Sequence, residues 1–286
     1  MGKEVLFWNE AEEGREGDFK KEYREREQEK KEGIRGSKMQ SIITAEAGGH
    51  GTKIKQSRKV RGVITKRDRT ACRWICEQGV MNVDQLWRAV WRTADVVSPR
   101  YTYTRVQLLE QSGIIQRIRT PYSLKMFYKA TAWAQELASE GGDGERLVPL
   151  HSPPINEIAH ADGLTELRLM VDQAQPSALW QSDRSLAIDA SFPKERFYGH
   201  LPDAIWTTPK GHRIAVEYER TRKTVSRLRR KIETFSAEIA RPDRVFERVL
   251  WIGVTSTKAC LTQCLENRPE QTLRTMEEFF RELQKL

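Results

Sequence analysis

The apolar positions between residues 64 and 138 recur first at helical spacing and then in alternation. Helical spacing predicts three helices, of which the first is capped at its C-terminus by Gly79 and the second begins after Asn82. Two short alternating runs then predict a hairpin. The first and third predicted helices span residues 69–79 and 101–111, and the two hairpin strands span 114–118 and 126–130. These elements predict one small domain at residues 61–138.

Polar and basic side chains dominate the third predicted helix and the hairpin after it. Three helices followed by a hairpin is the order of a winged helix, and in helix-turn-helix readers the recognition helix enters the major groove. Side chains of these types contact phosphates and base edges. We therefore expect DNA contacts from Arg100, Tyr101, Tyr103, Thr104, Arg105, Gln107, Arg117 and Arg119. The alternative is a small helical domain that binds protein.

Residues 151–286 show the pattern of an α/β domain, and the glycine-containing stretch 139–150 before them is typical of a linker. We expect a helix at residues 160–174, a hairpin at 203–219 and a helix that Thr221 caps and that ends near Ala240. A buried strand at 245–254 and helices at 257–266 and 270–286 complete the domain. The predicted fold class is therefore α+β or α/β, with a central mixed sheet in this second domain.

Carboxylates gather on one face of the predicted hairpin. Alternation along its second strand directs Glu217 and Glu219 to one face and Tyr218 to the other, with Asp203 on the neighbouring strand. An oxygen-rich group of this kind suits Mg²⁺ or Mn²⁺, which assist phosphodiester hydrolysis. The alternatives are that Asp203 caps backbone groups at a turn and that the two glutamates only form salt bridges to the next helix.

That next helix is strongly basic. Lys223, which we expect in its first turn, is placed to stabilise charge at a scissile phosphate. Arg227 and Lys231 follow at i+4 spacing, so we expect them to follow the DNA backbone.

A Pro-Asp pair ending at Asp203, then Glu217-x-Glu219 and a basic helix, resembles the PD-(D/E)xK nuclease superfamily. The resemblance implies a restriction-endonuclease-like core in which Asp203, Glu217 and the helix residue Glu166 bind the metal. The superfamily lysine position is occupied by Glu219, which makes Lys223 the candidate for a displaced lysine. The resemblance thus implies catalysis by Asp203, Glu217, Glu219 and Lys223. The alternative for Glu166 is a solvated acid.

A narrower resemblance rests on Trp180-x-x-Asp183-Arg184 and on the segments LPDA and VEYERTRK between Leu201 and Lys223. These segments are similar to the MobC class of plasmid relaxases and to replication-relaxation proteins. The resemblance implies nicking of double-stranded DNA at a transfer origin, with an accessory mobilisation protein and a type IV coupling protein as partners. The alternatives are a non-catalytic winged-helix DNA-binding regulator with a degenerate nuclease fold, and a structural adaptor of a secretion complex.

Composition agrees with a polyanionic partner. The 286 residues carry a formal charge of +9, and we expect a charged, partly disordered arm at residues 1–60. No secretory signal pattern begins the sequence and no run approaches the roughly 20 apolar residues of a membrane helix, so we expect a cytoplasmic protein without membrane insertion. The cysteines at 72, 76, 260 and 264 have helical spacing, which favours core thiols over a zinc site.

Overall fold

The computed structural model describes residues 63–92, 98–121, 123–140, 149–150 and 152–285. In these ranges helices accompany two sheets, one of three strands and one of five, which confirms the predicted mixed α/β class. The predicted arm at 1–60 lies outside the described residues, and so does most of the predicted linker at 139–150. None of the described helices is both long enough and apolar enough to cross a membrane.

The three-stranded sheet belongs to the first half of the described chain and has the order β1-β3-β2, with both pairs antiparallel. Both helix caps that the sequence predicted in this half are present. Gly79 ends the first helix with a φ of 78°, and Asn82 caps the second helix. The second helix continues into a π-helical turn at Trp87–Trp91. The elements are α1 Lys66–Gln78, β1 Met81–Asn82, α2 Val83–Leu86, α3 Pro99–Gln111, β2 Ile115–Thr120, β3 Ser123–Ala130 and α4 Ala132–Ser139.

The five-stranded sheet belongs to the second half and is mixed, with the order β4-β5-β6-β7-β8. The pairs β4–β5 and β5–β6 are antiparallel, whereas the pairs β6–β7 and β7–β8 are parallel. The elements are α5 Ile158–Ala174, β4 Leu179–Ser182, α6 Asp183–Ile188, β5 Ala204–Thr207, β6 Arg213–Glu219, α7 Val225–Ile239, β7 Arg248–Gly253, α8 Thr255–Cys264, β8 Gln271–Arg274 and α9 Met276–Leu283.

Alternation along β6 sorts its side chains between two apolar layers. Ala215 packs in a cluster with Leu228 and Phe235 of α7, whereas Val216 and Tyr218 pack in another with residues of α5 and α9. The sheet therefore lies between two helical layers. This arrangement confirms that Tyr218 points away from Glu217 and Glu219.

Two boundaries differ from the sequence expectation. Thr224, not Thr221, caps α7: its side chain accepts a hydrogen bond from the Arg227 backbone N–H. Residues 220–224 are therefore not helical, and the prediction that Lys223 lies in the first turn of the helix is wrong. The predicted helix at 270–286 begins instead as edge strand β8, because pairing with β7 satisfies its backbone, and the helix starts only at Met276.

Helix α5 packs against both halves of the described chain. Leu169 belongs to the apolar cluster around α1, while Leu164 and Leu167 belong to the cluster around β6. The guanidinium of Arg168 lies 3.7 Å above the Trp74 ring and donates a 2.6 Å hydrogen bond to Glu77. One helix thus ties the three-stranded sheet to the five-stranded one.

Candidate active site

An open cavity of about 1070 Å³ lies where β6 ends, between the segment before α5, the helix α6 and the start of α7. We call its least exposed charged groups, Asp203, Glu219 and Lys231, the floor, and the basic groups Arg184, Arg220, Lys223 and Arg227 the rim. The charged and imidazole side chains of the lining are Glu157, His160, Asp183, Arg184, His200, Asp203, Glu219, Arg220, Lys223, Arg227 and Lys231. Three of the four predicted catalytic residues, Asp203, Glu219 and Lys223, line the cavity. The fourth, Glu217, is fully buried behind the lining residue Lys231, which contacts it.

Lys231 neutralises negative charge at the floor of the cavity. Its Nζ donates a hydrogen bond to Oε2 of Glu217 and lies 3.9 Å from Oε1 of Glu219. The other oxygen of Glu217, Oε1, is buried and has no hydrogen-bond partner in the described structure. A buried carboxylate oxygen without a donor is costly, so it marks a position where a cation or a proton is expected.

Asp203 is held from three directions, at the residue before β5. Its Oδ2 accepts a 2.8 Å hydrogen bond from the backbone N–H of Tyr218, and its Oδ1 lies 3.4 Å from Nε2 of His160. Its backbone carbonyl accepts the N–H of Asp183 at 2.9 Å. The imidazole of His160 in turn stacks on Tyr218, with ring centroids 5.5 Å apart. Helix α5 therefore fixes the orientation of this carboxylate.

These contacts separate the pKa values of the two central carboxylates. Burial opposes ionisation of Asp203, but the hydrogen bond from His160 and the charge of Lys231 outweigh it and lower its pKa to about 2. Burial and the charge of Asp203 raise the pKa of Glu217 well above its usual value. Burial and the same aspartate also raise the pKa of Asp183. One firmly ionised carboxylate thus lies beside others that resist a second negative charge.

Glu219 and Lys223 form a second pair at the edge of the cavity. The Nζ of Lys223 donates a 2.6 Å hydrogen bond to Oε1 of Glu219. The backbone carbonyl of Glu219 accepts the hydroxyl of Thr257 at 2.8 Å, which fixes the end of β6 against α8. Lys223 is therefore near the carboxylates, as predicted, but it is Lys231 that contacts the central one.

Glu166 lies away from this cavity. Its carboxylate accepts hydrogen bonds from Arg88 at 2.7 Å and from Gln85 at 2.8 Å, and these bonds offset burial and lower its pKa. Glu166 comes six positions after His160 on the same helix, which turns its side chain away from the face that meets Asp203. The structure does not bring Glu166 together with the other two predicted metal ligands.

Without Glu166, Asp203 and Glu217 remain as predicted ligands of a hard cation. Within the described ranges, no group of three or more His, Cys, Asp or Glu side chains forms a metal-holding cluster. Mg²⁺ is commonly bound by only one or two carboxylates, and water and phosphate oxygens complete its coordination. Asp203 with the orphaned Oε1 of Glu217 supplies oxygen donors of that kind. The donor chemistry fits Mg²⁺ or Mn²⁺ through these two residues, without Glu166.

The predicted DNA-contacting side chains differ in their exposure and in the contacts that they make within the protein. Arg105 donates hydrogen bonds to the buried carboxylate of Asp68 and to the Val63 carbonyl, and Arg117 donates to Glu110, so both guanidinium groups make contacts within the protein. Tyr103 and Gln107 are half-buried on α3. The predicted contacts with exposed side chains are Arg100, Tyr101, Thr104, Arg119 and Arg227.

Sequence reasoning missed the contact of His160 with Asp203 and the position of Lys231. Lys231 is three residues after Leu228 and four before Phe235, both buried on the inner face of α7. That spacing places a lysine within an apolar stripe, which is the sequence signal for a buried cation facing the sheet. His160 and Asp183 have no such local signal, since each reaches the cavity through the packing of a different helix.

A scan against models of known protein families finds no match, and comparisons with curated proteins and with solved structures find none either. The chemistry of the cavity must therefore be inferred from its own side chains.

Proposed function

We propose that this chain is a metal-dependent DNA endonuclease that nicks its substrate in the cavity at the end of β6. The observation that carries the proposal is the contact of Lys231 with the fully buried Glu217, beside the ionised Asp203, at the floor of an open cavity. Metal-assisted hydrolysis of a phosphodiester uses carboxylates that hold the metal and positive charge near the phosphate.

The basic rim supports a polyanionic substrate. Arg184, Arg220, Lys223 and Arg227 surround the opening, and a polyanion gains by releasing counterions when it meets such a surface. A purely acidic site would repel a phosphodiester, whereas this cavity offers cations to the backbone around a few buried carboxylates. The formal charge of +9 favours the same class of partner.

Five residues in or next to the cavity have separate roles in this proposal. Asp203 and Glu217 hold Mg²⁺ or Mn²⁺, which when bound neutralises charge on the phosphate and makes water a better nucleophile. Lys231 stabilises negative charge that develops on the phosphate oxygens. His160 positions Asp203 through the contact between Nε2 and Oδ1. Lys223 orients Glu219 and adds positive charge at the rim.

The first half of the described chain supplies recognition of double-stranded DNA. Its order of three helices followed by a hairpin supports a winged helix, and the second half supports a restriction-endonuclease-like core. Arg100, Tyr101 and Thr104 lie exposed on α3, the helix that would enter the major groove. The substrate in this proposal is a plasmid transfer origin. An accessory mobilisation protein and a coupling protein are the partners of this chain.

One observation favours a second function. Lys231 and Lys223 already pair with Glu217 and Glu219, so these charges are balanced within the protein without a metal ion, as they would be in a non-catalytic DNA-binding regulator. Metal-dependent cleavage separates the two functions, since a regulator binds DNA but leaves it intact.

The test uses supercoiled plasmid that carries candidate transfer regions. We expect the full chain with Mg²⁺ or Mn²⁺ to convert it to open circles, and EDTA to prevent this. Asp203→Asn should abolish nicking but keep gel-shift binding, while His212→Ala, at an exposed pair with Glu247, should retain both. Binding without cleavage by the wild type in either metal would favour the regulator.

A further inference from the structure

Tyr198 lies on the loop that leads into the candidate active site, and its side chain points into solvent. It is 82% exposed, far more than Tyr101 at 49%, the other tyrosine among the exposed large side chains of the described structure. Gly199, His200 and Leu201, the three residues that follow it, line the cavity. An exposed aromatic ring thus immediately precedes, along the chain, three residues that line a cavity with basic and carboxylate groups.

The backbone projects this ring outward in an unusual conformation. Tyr198 has φ 49° and ψ 39°, in the left-handed region, and Gly199 continues with a φ of 79°. Bulky L-residues avoid this region, and such strain is concentrated at functional sites. A glycine or asparagine would satisfy the backbone more easily at position 198, so the fold alone does not explain a tyrosine there.

The loop beneath the ring is anchored firmly. Phe197 is fully buried and contacts the rings of Phe192, Phe235 and Phe246. Arg196 donates a 2.6 Å hydrogen bond to Asp243, and the His200 backbone N–H donates to the Phe197 carbonyl at 2.8 Å. An exposed ring on a fixed loop loses little freedom when it binds a ligand, which is the property of a preorganised contact.

Positive charge surrounds the same loop. Burial and the charges of Lys231 and Arg227 lower the pKa of His200, two residues beyond the tyrosine. A basic groove that follows the backbone, combined with an aromatic ring that stacks on bases, is how proteins bind single-stranded nucleic acid. In double-stranded DNA the base faces are stacked on one another, so the ring can reach a base face only where the strands are locally separated.

We propose that Tyr198 is a stacking platform for an unpaired nucleobase next to the phosphate held in the cavity. This inference rests on the proposed function and adds to it a preference for single-stranded or locally melted DNA at the cut. The residue acts in binding and positioning, because water is the nucleophile in the proposed function.

The test measures binding of the full chain, in EDTA, to a short single-stranded oligonucleotide that carries 2-aminopurine, whose fluorescence falls when the base stacks. Tyr198→Asn removes the ring and relieves the strain, so its melting temperature should be unchanged or higher. We expect it to weaken binding about tenfold, the scale of one lost base stack, and to abolish the fluorescence change. Tyr198→Trp should keep both.

Leu179→Asn is the matched control, because Leu179 is 64% exposed on the edge strand β4 and does not line the cavity. It should bind as the wild type does. Equal binding and equal quenching by Tyr198→Asn and wild type would overturn this inference alone, as would a wild type that binds only duplex. A wild type that binds neither form of DNA would contradict the proposed function as well.

Discussion

Lys231 lies on a face of α7 that is otherwise apolar, with only 13% of its side chain exposed. Burial alone would lower the pKa of this amine, but Glu217 and Asp203 raise it above its usual value, so Lys231 stays charged. Removing two charges from water is costly, and a buried pair rarely stabilises a protein more than apolar residues would. In the proposed function, this desolvation cost is explained by the contact of the Lys231 amine with the phosphate of the substrate.

Lys231→Met tests this role. The substitution leaves Glu217 buried without its partner, so we expect the free energy of unfolding to fall by about 3 kcal/mol in urea titrations. We expect plasmid nicking to fall by about 100-fold or more, because the charge at the phosphate is lost.

Two further variants separate stability from chemistry. Glu217→Gln combined with Lys231→Met should regain much of the stability but no activity. Lys223→Met removes a more exposed amine, 27% accessible, and should cost about 1 kcal/mol or less. Full activity of Lys231→Met in a folded protein would contradict the role assigned to this lysine.

At the scale of elements, α1 begins with a capping box that also anchors α3. Thr65 and Asp68 exchange hydrogen bonds between side chain and backbone, and Arg105 of α3 donates two more to the same carboxylate. These bonds offset burial and lower the pKa of Asp68 below its usual 3.8. One buried carboxylate therefore caps one helix and positions another.

Asp68→Asn should lower the free energy of unfolding at pH 7 by about 3 kcal/mol, because Arg105 loses a buried partner. The folded-state pKa is lowered, so the stabilisation by Asp68 is present above its usual pKa and is lost as the pH falls through the folded value. The difference between wild type and variant should therefore shrink when urea titrations are repeated at pH 3. Asp84→Asn, at an exposed pair with Arg88, should change little at either pH. A difference that stays constant down to pH 3 would disprove the assignment.

Elements with local signals could be predicted from the sequence. Gly79, Asn82 and the alternation through Tyr218 carry their information within a few residues, and the structure confirms the elements that they predicted. Thr221 and Thr224 offer similar caps, and the choice of Thr224 leaves Lys223 free to reach Glu219. Strand β8 was missed because its pairing with β7 is a tertiary contact.

The candidate site was only partly predictable for the same reason. Asp203 and the two glutamates share one hairpin, so period-two geometry brought them together. Which residue of α5 faces Asp203 depends on how the helix rotates against β6, and the sequence does not fix that rotation. The helix presents His160 there, and Gly163 permits the close approach, since a Cβ at that position would lie 2.2 Å from the Tyr218 ring.

At the scale of the whole described chain, α5 connects the half with the three-stranded sheet to the cavity beside the five-stranded sheet. One end of the helix holds Asp203 through His160, and Glu166 on another face holds Arg88 just after α2. Asp162 adds a hydrogen bond from Gln85 at 2.7 Å. In the proposed function this helix keeps the DNA reader and the cavity in a fixed relation.

Glu166→Ala distinguishes such a connecting role from the metal ligation expected from the sequence. We expect the Mg²⁺ concentration that gives half-maximal nicking to be unchanged, while the protein loses about 1–3 kcal/mol of stability as Arg88 and Gln85 lose their acceptor. Arg88→Ala should behave similarly, which makes it the matched comparison. A shift of the metal requirement to much higher Mg²⁺ in Glu166→Ala alone would restore Glu166 as a ligand.

In the proposed function, Asp203 and Glu217 form the cation site of a DNA-cleaving cavity. The most direct measurement is nicking of supercoiled plasmid across a Mg²⁺ and Mn²⁺ titration, for wild type, Asp203→Asn and Glu217→Gln, with gel-shift binding measured in parallel. We predict metal-dependent open circles for the wild type only, with binding retained by all three proteins. Equal cleavage by the variants, or tight binding by the wild type without cleavage in either metal, would contradict the account.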